Sequence, residues 1–295
     1  MIVFHAHVPR TGGTAAGHSL SIGFTRERFV KYRSREQVRQ DPKMAQETVA
    51  VSGHFGWGLH ELFGRDHLYF IVLRDPVERV GSLYDYVLAR KAHRYNELWT
   101  ATPLHRVLAE KLSPIPLSNA VVRQLGGGFG HPKSPVTEAM MERAWKNISQ
   151  GNVIVTFTDM LNDGLLQLAG QTGVQLRRVT KIHNAAKKKT SNSPETIELI
   201  RQTNALDIEL YERARSAFAN RLENPARLPE VSPLEVYRER IARVRAEQDA
   251  FETSARRIRD LSARLRATPT VRGKRAVGSF RRALERLFRR SSDLA

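Results

Sequence analysis

The chain contains no cysteine. Disulfide staples, thiolate metal sites and cysteine nucleophiles are therefore excluded, and the composition suits a reducing cytoplasm. No stretch approaches ~18 uninterrupted apolar residues, so no membrane-spanning helix is expected. The opening Met1-Ile2-Val3-Phe4 lacks a basic leader, so a secretory signal is not expected either. Acidic residues are in short supply: 30 Asp and Glu face 48 Lys and Arg, a formal charge of +18. Such a surplus favours anionic partners without telling nucleic acid from sulfated or carboxylated sugars. No nucleic-acid motif of fixed spacing is present, and no specific nucleic-acid partner is expected.

What is there divides unevenly. Residues 1–235 hold 31 basic against 23 acidic side chains, whereas residues 236–295 hold 17 against 7. The chain reads as an α/β domain over 1–222, a linker over 223–233 marked by Pro225, Pro229 and Pro233, and a basic helical tail over 234–295. Leu234, Tyr237, Ile241, Val244, Phe251, Ala255, Ile258 and Leu265 follow steps of three, four and seven, interrupted by Gln248. A helix with that stripe has to bury it on the main domain or in a homodimer. The arginine-rich end over 281–290 suits solvent or an anionic membrane surface.

Within the main domain, apolar runs bounded by turn residues predict strands over 1–8, 48–53, 69–74 and 152–158. Helices are expected over 14–24, 77–93, 95–112, 135–149, 160–172 and 194–220. The alternation predicts a P-loop-like parallel sheet flanked by helices, with ligands at the carboxyl ends of its strands.

Two segments look equipped for anions. The first strand runs into Arg10-Thr11-Gly12-Gly13-Thr14, where a glycine turn and a helix N-terminus can converge on a phosphate beside the arginine charge. It is not a nucleoside-triphosphatase loop, which needs four residues between its glycines and a Lys-Ser or Lys-Thr pair after them. The second is Leu73-Arg74-Asp75-Pro76, with Ser82 in the second turn of the helix behind it. Read singly, the first is also an ordinary strand-to-helix turn, and Arg74 also reads as a strand-end arginine paired with a carboxylate.

Together the two segments resemble those of the carbohydrate sulfotransferases. His7-Val8-Pro9-Arg10-Thr11-Gly12-Gly13-Thr14 is similar to that family's 5′-phosphosulfate loop, usually His-Ile-Pro-Lys-Thr-Gly-Gly-Thr, and Leu73 to Arg79 with Ser82 and Tyr84 is similar to its 3′-phosphate motif. Val51-Ser52-Gly53-His54-Phe55-Gly56, Asn119 with Arg123-Gln124-Leu125, and Ser193-Pro194-Glu195 through Asp207 to Tyr211 add to a likeness that covers about residues 1–220 and is nearest the heparan sulfate 2-O/6-O type. The resemblance implies a bacterial, cytoplasmic enzyme that takes 3′-phosphoadenosine-5′-phosphosulfate as co-substrate, needs no metal, and sulfates an oligosaccharide, polysaccharide or glycolipid. A glycolipid acceptor would place it at the inner membrane.

Sulfuryl transfer needs a base for the acceptor hydroxyl and cations for the leaving phosphate. His54, at the end of the second predicted strand, is the candidate base, with His60 in reserve and as a substrate-binding candidate. Arg10 stands where the family has lysine. It can offset charge but is a poor proton donor. Arg10 to Thr14, Arg74 and Ser82 are the expected donor-binding residues, and Asn119 and Arg123 are further substrate-facing candidates. His5 and His7 share one face of a strand without a third ligand at telling spacing, so they are expected to be structural rather than metal-binding. Two other readings remain open: a nucleotide-dependent phosphotransferase, which magnesium dependence would reveal, and a non-catalytic protein that binds anionic glycan or nucleic acid.

Overall fold

Five short runs pair in parallel into one sheet in the computed structural model, which describes residues 1–24, 28–32, 34–40, 46–113, 115, 117–127, 135–180, 192–219 and 230–231. The strands are β1 (Ile2–Ala6), β2 (Phe29–Lys31), β3 (Ala50–Gly53), β4 (His67–Leu73) and β5 (Val153–Phe157), in the order β2-β3-β1-β4-β5. β1 is central, with Val3 opposite Ala50 on one side and Leu68 on the other, and all five of its residues are buried. Strands covered on both faces need no polar alternation, so they read as nearly continuous apolar runs.

Helices α1 (Gly13–Gly23), α2 (Arg35–Gln40), α3 (Pro76–Leu88), α4 (Asn96–Ala101) and α5 (Leu104–Ala109) belong to the first half of the chain. They are followed by α6 (Ala120–Leu125), α7 (Glu138–Ile148), α8 (Leu161–Thr172), α9 (Pro194–Thr203) and α10 (Ala205–Phe218). The two-residue period of a strand decides which layer each side chain joins. Val3, Phe70, Val72 and Ile154 pack with Ala16 and Leu20 of α1 and Leu165 of α8. Phe4, Tyr69, Ile71 and Phe157 pack on the opposite face with Val122, Ile148 and Leu210. The result is an α/β fold with a parallel sheet flanked by helices.

Several predicted elements are shorter or broken. The helix expected over 77–93 stops at Leu88, where the Asn96 amide donates to the carbonyls of Val87 (2.9 Å) and Leu88 (3.1 Å) and so takes the place of another turn. The helix expected over 95–112 is two, because Pro103 forces Thr102 to an extended conformation, φ −131° and ψ 113°. The helix expected over 194–220 breaks at Asn204, which is fully buried. Strand β2, and the pair β6 (Arg178–Val179) with β7 (Glu230–Val231), were not predicted, since two or three residues carry no periodicity.

The chain divides into two units, Met1–Pro233 and Leu234–Ala295. The basic tail expected over 234–295 lies outside the described residues, as does the linker apart from Glu230–Val231. No helix among the described residues is long and apolar enough to cross a membrane.

Candidate active site

After β1 the chain turns toward β2 and β3, and after β4 it turns toward β5. The carboxyl ends of β1 and β4 therefore flank a topological switch point, where open α/β sheets place their ligands. Both anion segments open onto it. The loop after β1 bends sharply: Arg10 (φ 72°) and Gly12 (φ 88°) are both left-handed, a conformation that costs a side-chain-bearing residue about 1–2 kcal/mol. Thr11 is fully buried and donates to the Val8 carbonyl (2.9 Å). Thr158, just past β5, donates to the carbonyls of Thr11 (2.9 Å) and Leu73 (3.2 Å), tying the loop to the ends of β4 and β5. Helix α1 then starts at Gly13 with no side-chain cap and no acidic residue in its first turn, which leaves its positive end uncompensated by the chain.

The two segments touch. Arg10 donates through Nε and Nη2 to Ser82 Oγ, each at 3.1 Å, and Arg74 Nη1 donates to the Arg10 carbonyl at 3.3 Å. Arg74 also pairs with Glu78 (3.1 Å), as the plain strand-end reading requires, while Asp75 caps α3 by accepting from the Glu78 amide. Ser82 is thus held by Arg10 rather than by Arg74. The guanidinium carbons of Arg10 and Arg90 lie 4.6 and 4.2 Å from the centre of the Tyr86 ring. Burial pushes the pKa of Arg10 down; Tyr86 and Asp85 oppose that shift, and repulsion from Arg74 and Arg90 adds to it. Cations repelling one another at a sheet edge are in a setting that an arriving anion relieves. Tyr84 faces elsewhere, donating to the backbone carbonyls of Trp99 and Thr102.

His54 follows β3 on the same edge and is exposed. Its Nδ1 lies 2.8 Å from the His7 carbonyl. A carbonyl only accepts, so Nδ1 carries the hydrogen and the neutral ring presents the Nε2 lone pair. Its ring lies 4.4 Å from that of His7, which stacks in turn on His5 at 5.5 Å. His5 Nδ1 meets Ser52 Oγ at 2.8 Å in full burial. Burial, then the charge of His54, pushes His5 to about 3; burial, then His5, His54 and Arg10, pushes His7 to about 2. Both are neutral imidazoles. Among the described residues no group of three or more His, Cys, Asp or Glu is placed to hold a metal ion.

The structure does not bring His60 to this edge. It stacks at 3.9 Å on His67, the first residue of β4, and bonds to the Tyr69 hydroxyl (3.0 Å). A seven-residue strand separates it by roughly 20 Å from the carboxyl end of β4. Asn119 and Arg123 belong to a polar knot under α6. The Asn119 backbone N–H donates to Asn204 Oδ1 and the Asn119 side-chain Oδ1 accepts from the Asp207 backbone N–H, both at 3.0 Å. Asp207 accepts the N–H groups of Val121 (3.1 Å) and Val122 (2.8 Å), and faces the equally buried Arg79 at 3.7 Å. Burial raises the Asp207 carboxyl and Arg79 opposes that shift. Arg123 is 5% exposed, its guanidinium pulled down by burial against the attraction of Asp207.

Sequence reasoning missed Gln124 as a site residue. Its Nε2 donates to the carbonyls of Phe55 (2.9 Å) and, more weakly, His7 (3.4 Å), and its own carbonyl takes the Trp57 N–H (2.9 Å). It staples the segment carrying His54 to the end of β1. Thr158 was also missed, and nothing in the sequence around it marks its role.

No protein-family model matches the chain, and neither does any curated protein. Solved structures do match, among them a crystal structure of mouse sulfotransferase SULT7A1 complexed with PAP. The identity is 12%, the match covers 69% of this chain and 63% of that one, and the TM-score is 0.37, a likeness too slight to assign an activity.

Proposed function

We propose that the protein is a sulfotransferase that moves the sulfuryl group of 3′-phosphoadenosine-5′-phosphosulfate onto a hydroxyl, with a free or lipid-linked carbohydrate as the acceptor. The observation that carries this reading is the bonding of Arg10 to Ser82 across the switch point, which joins two anion segments 72 residues apart into one cationic site. Two segments that each bring an arginine suit a donor with two anionic groups. The open start of α1 and Arg10 take the 5′ phosphosulfate. Arg74 takes the 3′ phosphate, exchanging Glu78 for it, with Ser82 alongside.

In the reaction the acceptor oxygen bonds to sulfur as the bond from sulfur to the 5′-phosphate oxygen breaks, leaving the electron pair on that oxygen. The hydroxyl proton passes to His54 Nε2. Arg10 offsets the growing charge without giving up a proton. The His7 carbonyl holds the base in its tautomer, and Gln124 fastens the segment that carries it. The enzyme works in the cytoplasm, and residues 234–295 associate with a second subunit or an anionic membrane surface while being dispensable for donor binding. Truncation after Pro233, followed by light scattering and vesicle sedimentation at low and high salt, tests that part.

The central test is calorimetry with adenosine 3′,5′-bisphosphate and AMP. The bisphosphate should bind far more tightly, and Arg74→Ala should weaken it while leaving AMP nearly unchanged. Equal affinities would remove the reading. Labelled donor offered with a panel of oligosaccharides and glycolipids then identifies the acceptor.

A further inference from the structure

In the proposed reaction His7 serves only through its backbone carbonyl, which holds His54 and Gln124. Its half-buried ring stands between the two working parts of the site. On one side lies the His54 ring at 4.4 Å. On the other lies the first residue of α1, so close that a Cβ on Gly13 would fall 2.0 Å from His7 Cδ2 and 2.5 Å from Nε2. Neither ring nitrogen of His7 has a hydrogen-bond partner among the described residues, in contrast to His5, His54, His60 and His67. Among the described residues, a polar ring wedged between the donor's helix and the base keeps its nitrogens available to a bound group.

Resting on the sulfuryl-transfer reading, we infer that His7 is a further catalytic residue, whose ring N–H donates a hydrogen bond to a non-bridging oxygen of the sulfuryl group in transit. The ring keeps its proton throughout. Neutrality suits that role, because a neutral imidazole supplies one fixed donor, and burial with the charges of His54 and Arg10 around it keeps the ring unprotonated at working pH. The bond strengthens as negative charge spreads over the sulfuryl oxygens, so it favours the transition state over the bound donor.

The test compares the donor with its desulfated product. His7→Phe keeps a ring against Gly13 and His54 but removes the N–H. Calorimetry without acceptor should show about tenfold weaker binding of 3′-phosphoadenosine-5′-phosphosulfate, with adenosine 3′,5′-bisphosphate bound as in the wild type. Turnover should fall further, on the order of 10²-fold, and His7→Gln, which restores an N–H, should recover part of it. Equal losses on both ligands would mean the ring only packs, and no loss on either would also overturn the inference. If neither ligand binds the wild-type protein, the sulfotransferase reading fails and this inference goes with it.

Discussion

Acidification should destabilise this protein through its buried histidines, and His5 makes the effect measurable. Its folded pKa of about 3 lies below the ordinary 6.5 of the unfolded chain. As pH falls through 6.5 the unfolded state takes up a proton that the native state refuses. The stability that His5 contributes is therefore fully present above pH 6.5 and is lost toward pH 3. The slope approaches about 1.4 kcal/mol per pH unit, and between pH 7 and pH 5 the integrated loss is roughly 2 kcal/mol for this one residue. His7 acts in the same direction. The variant to use is His5→Asn, whose amide keeps a polar group at the position of Nδ1 beside Ser52 but does not titrate. Urea melts at pH 7 and pH 5 should show the wild type losing about 2 kcal/mol more than the variant, whatever the variant's absolute stability. An identical pH dependence in both proteins would mean that native His5 accepts a proton at its ordinary pKa, and would refute the water-excluded histidine stack.

Other expectations are as direct. His54→Ala should lower turnover by ~10² to 10⁴-fold while binding of the bisphosphate persists; His60→Ala, altered at the far end of β4, should leave turnover unchanged, and the reverse pattern would move the base. Gly13→Ala should abolish binding of adenosine 3′,5′-bisphosphate because its Cβ collides with the His7 ring, and the double variant with His7→Ala should regain binding of that ligand; no recovery would place the obstacle elsewhere. Asp207→Ala leaves Arg79 charged and buried, so denaturant melts should show a loss of about 3–5 kcal/mol, and a change under 1 kcal/mol would contradict the buried pairing.

The legible parts of the fold were those written in contiguous residues. Strands β1, β4 and β5 and the turn at Gly12-Gly13 announce themselves as β-branched or aromatic runs ending in punctuation. Asn119 was a different matter. A motif singles it out, but only the fold reveals that its side chain is spent on the Asp207 backbone, 88 residues away. Asn204 looked like an ordinary helical residue, because the contact that breaks the helix there is equally remote. The two histidines after β3 were separable in principle. A crossover between parallel strands must return to the opposite edge of the sheet, so of His54 and His60 the later one is carried away from the carboxyl ends.

The polar knot also sets a schedule. Asp207 caps α6, and α6 carries Gln124, which fastens the segment bearing His54. During synthesis the glycine loop, β1 and β3 leave the ribosome long before residue 207 does. The support behind the base is thus completed among the last features of the sheet edge, although the base's own residues are among the first made. A nascent chain halted before Asn204 carries every element of the donor loop and the His7 carbonyl that holds His54, but lacks the Asp207 carboxylate that caps the helix of Gln124. Chains arrested at successive lengths should acquire donor affinity and turnover at different points, with turnover appearing only once α10 can dock.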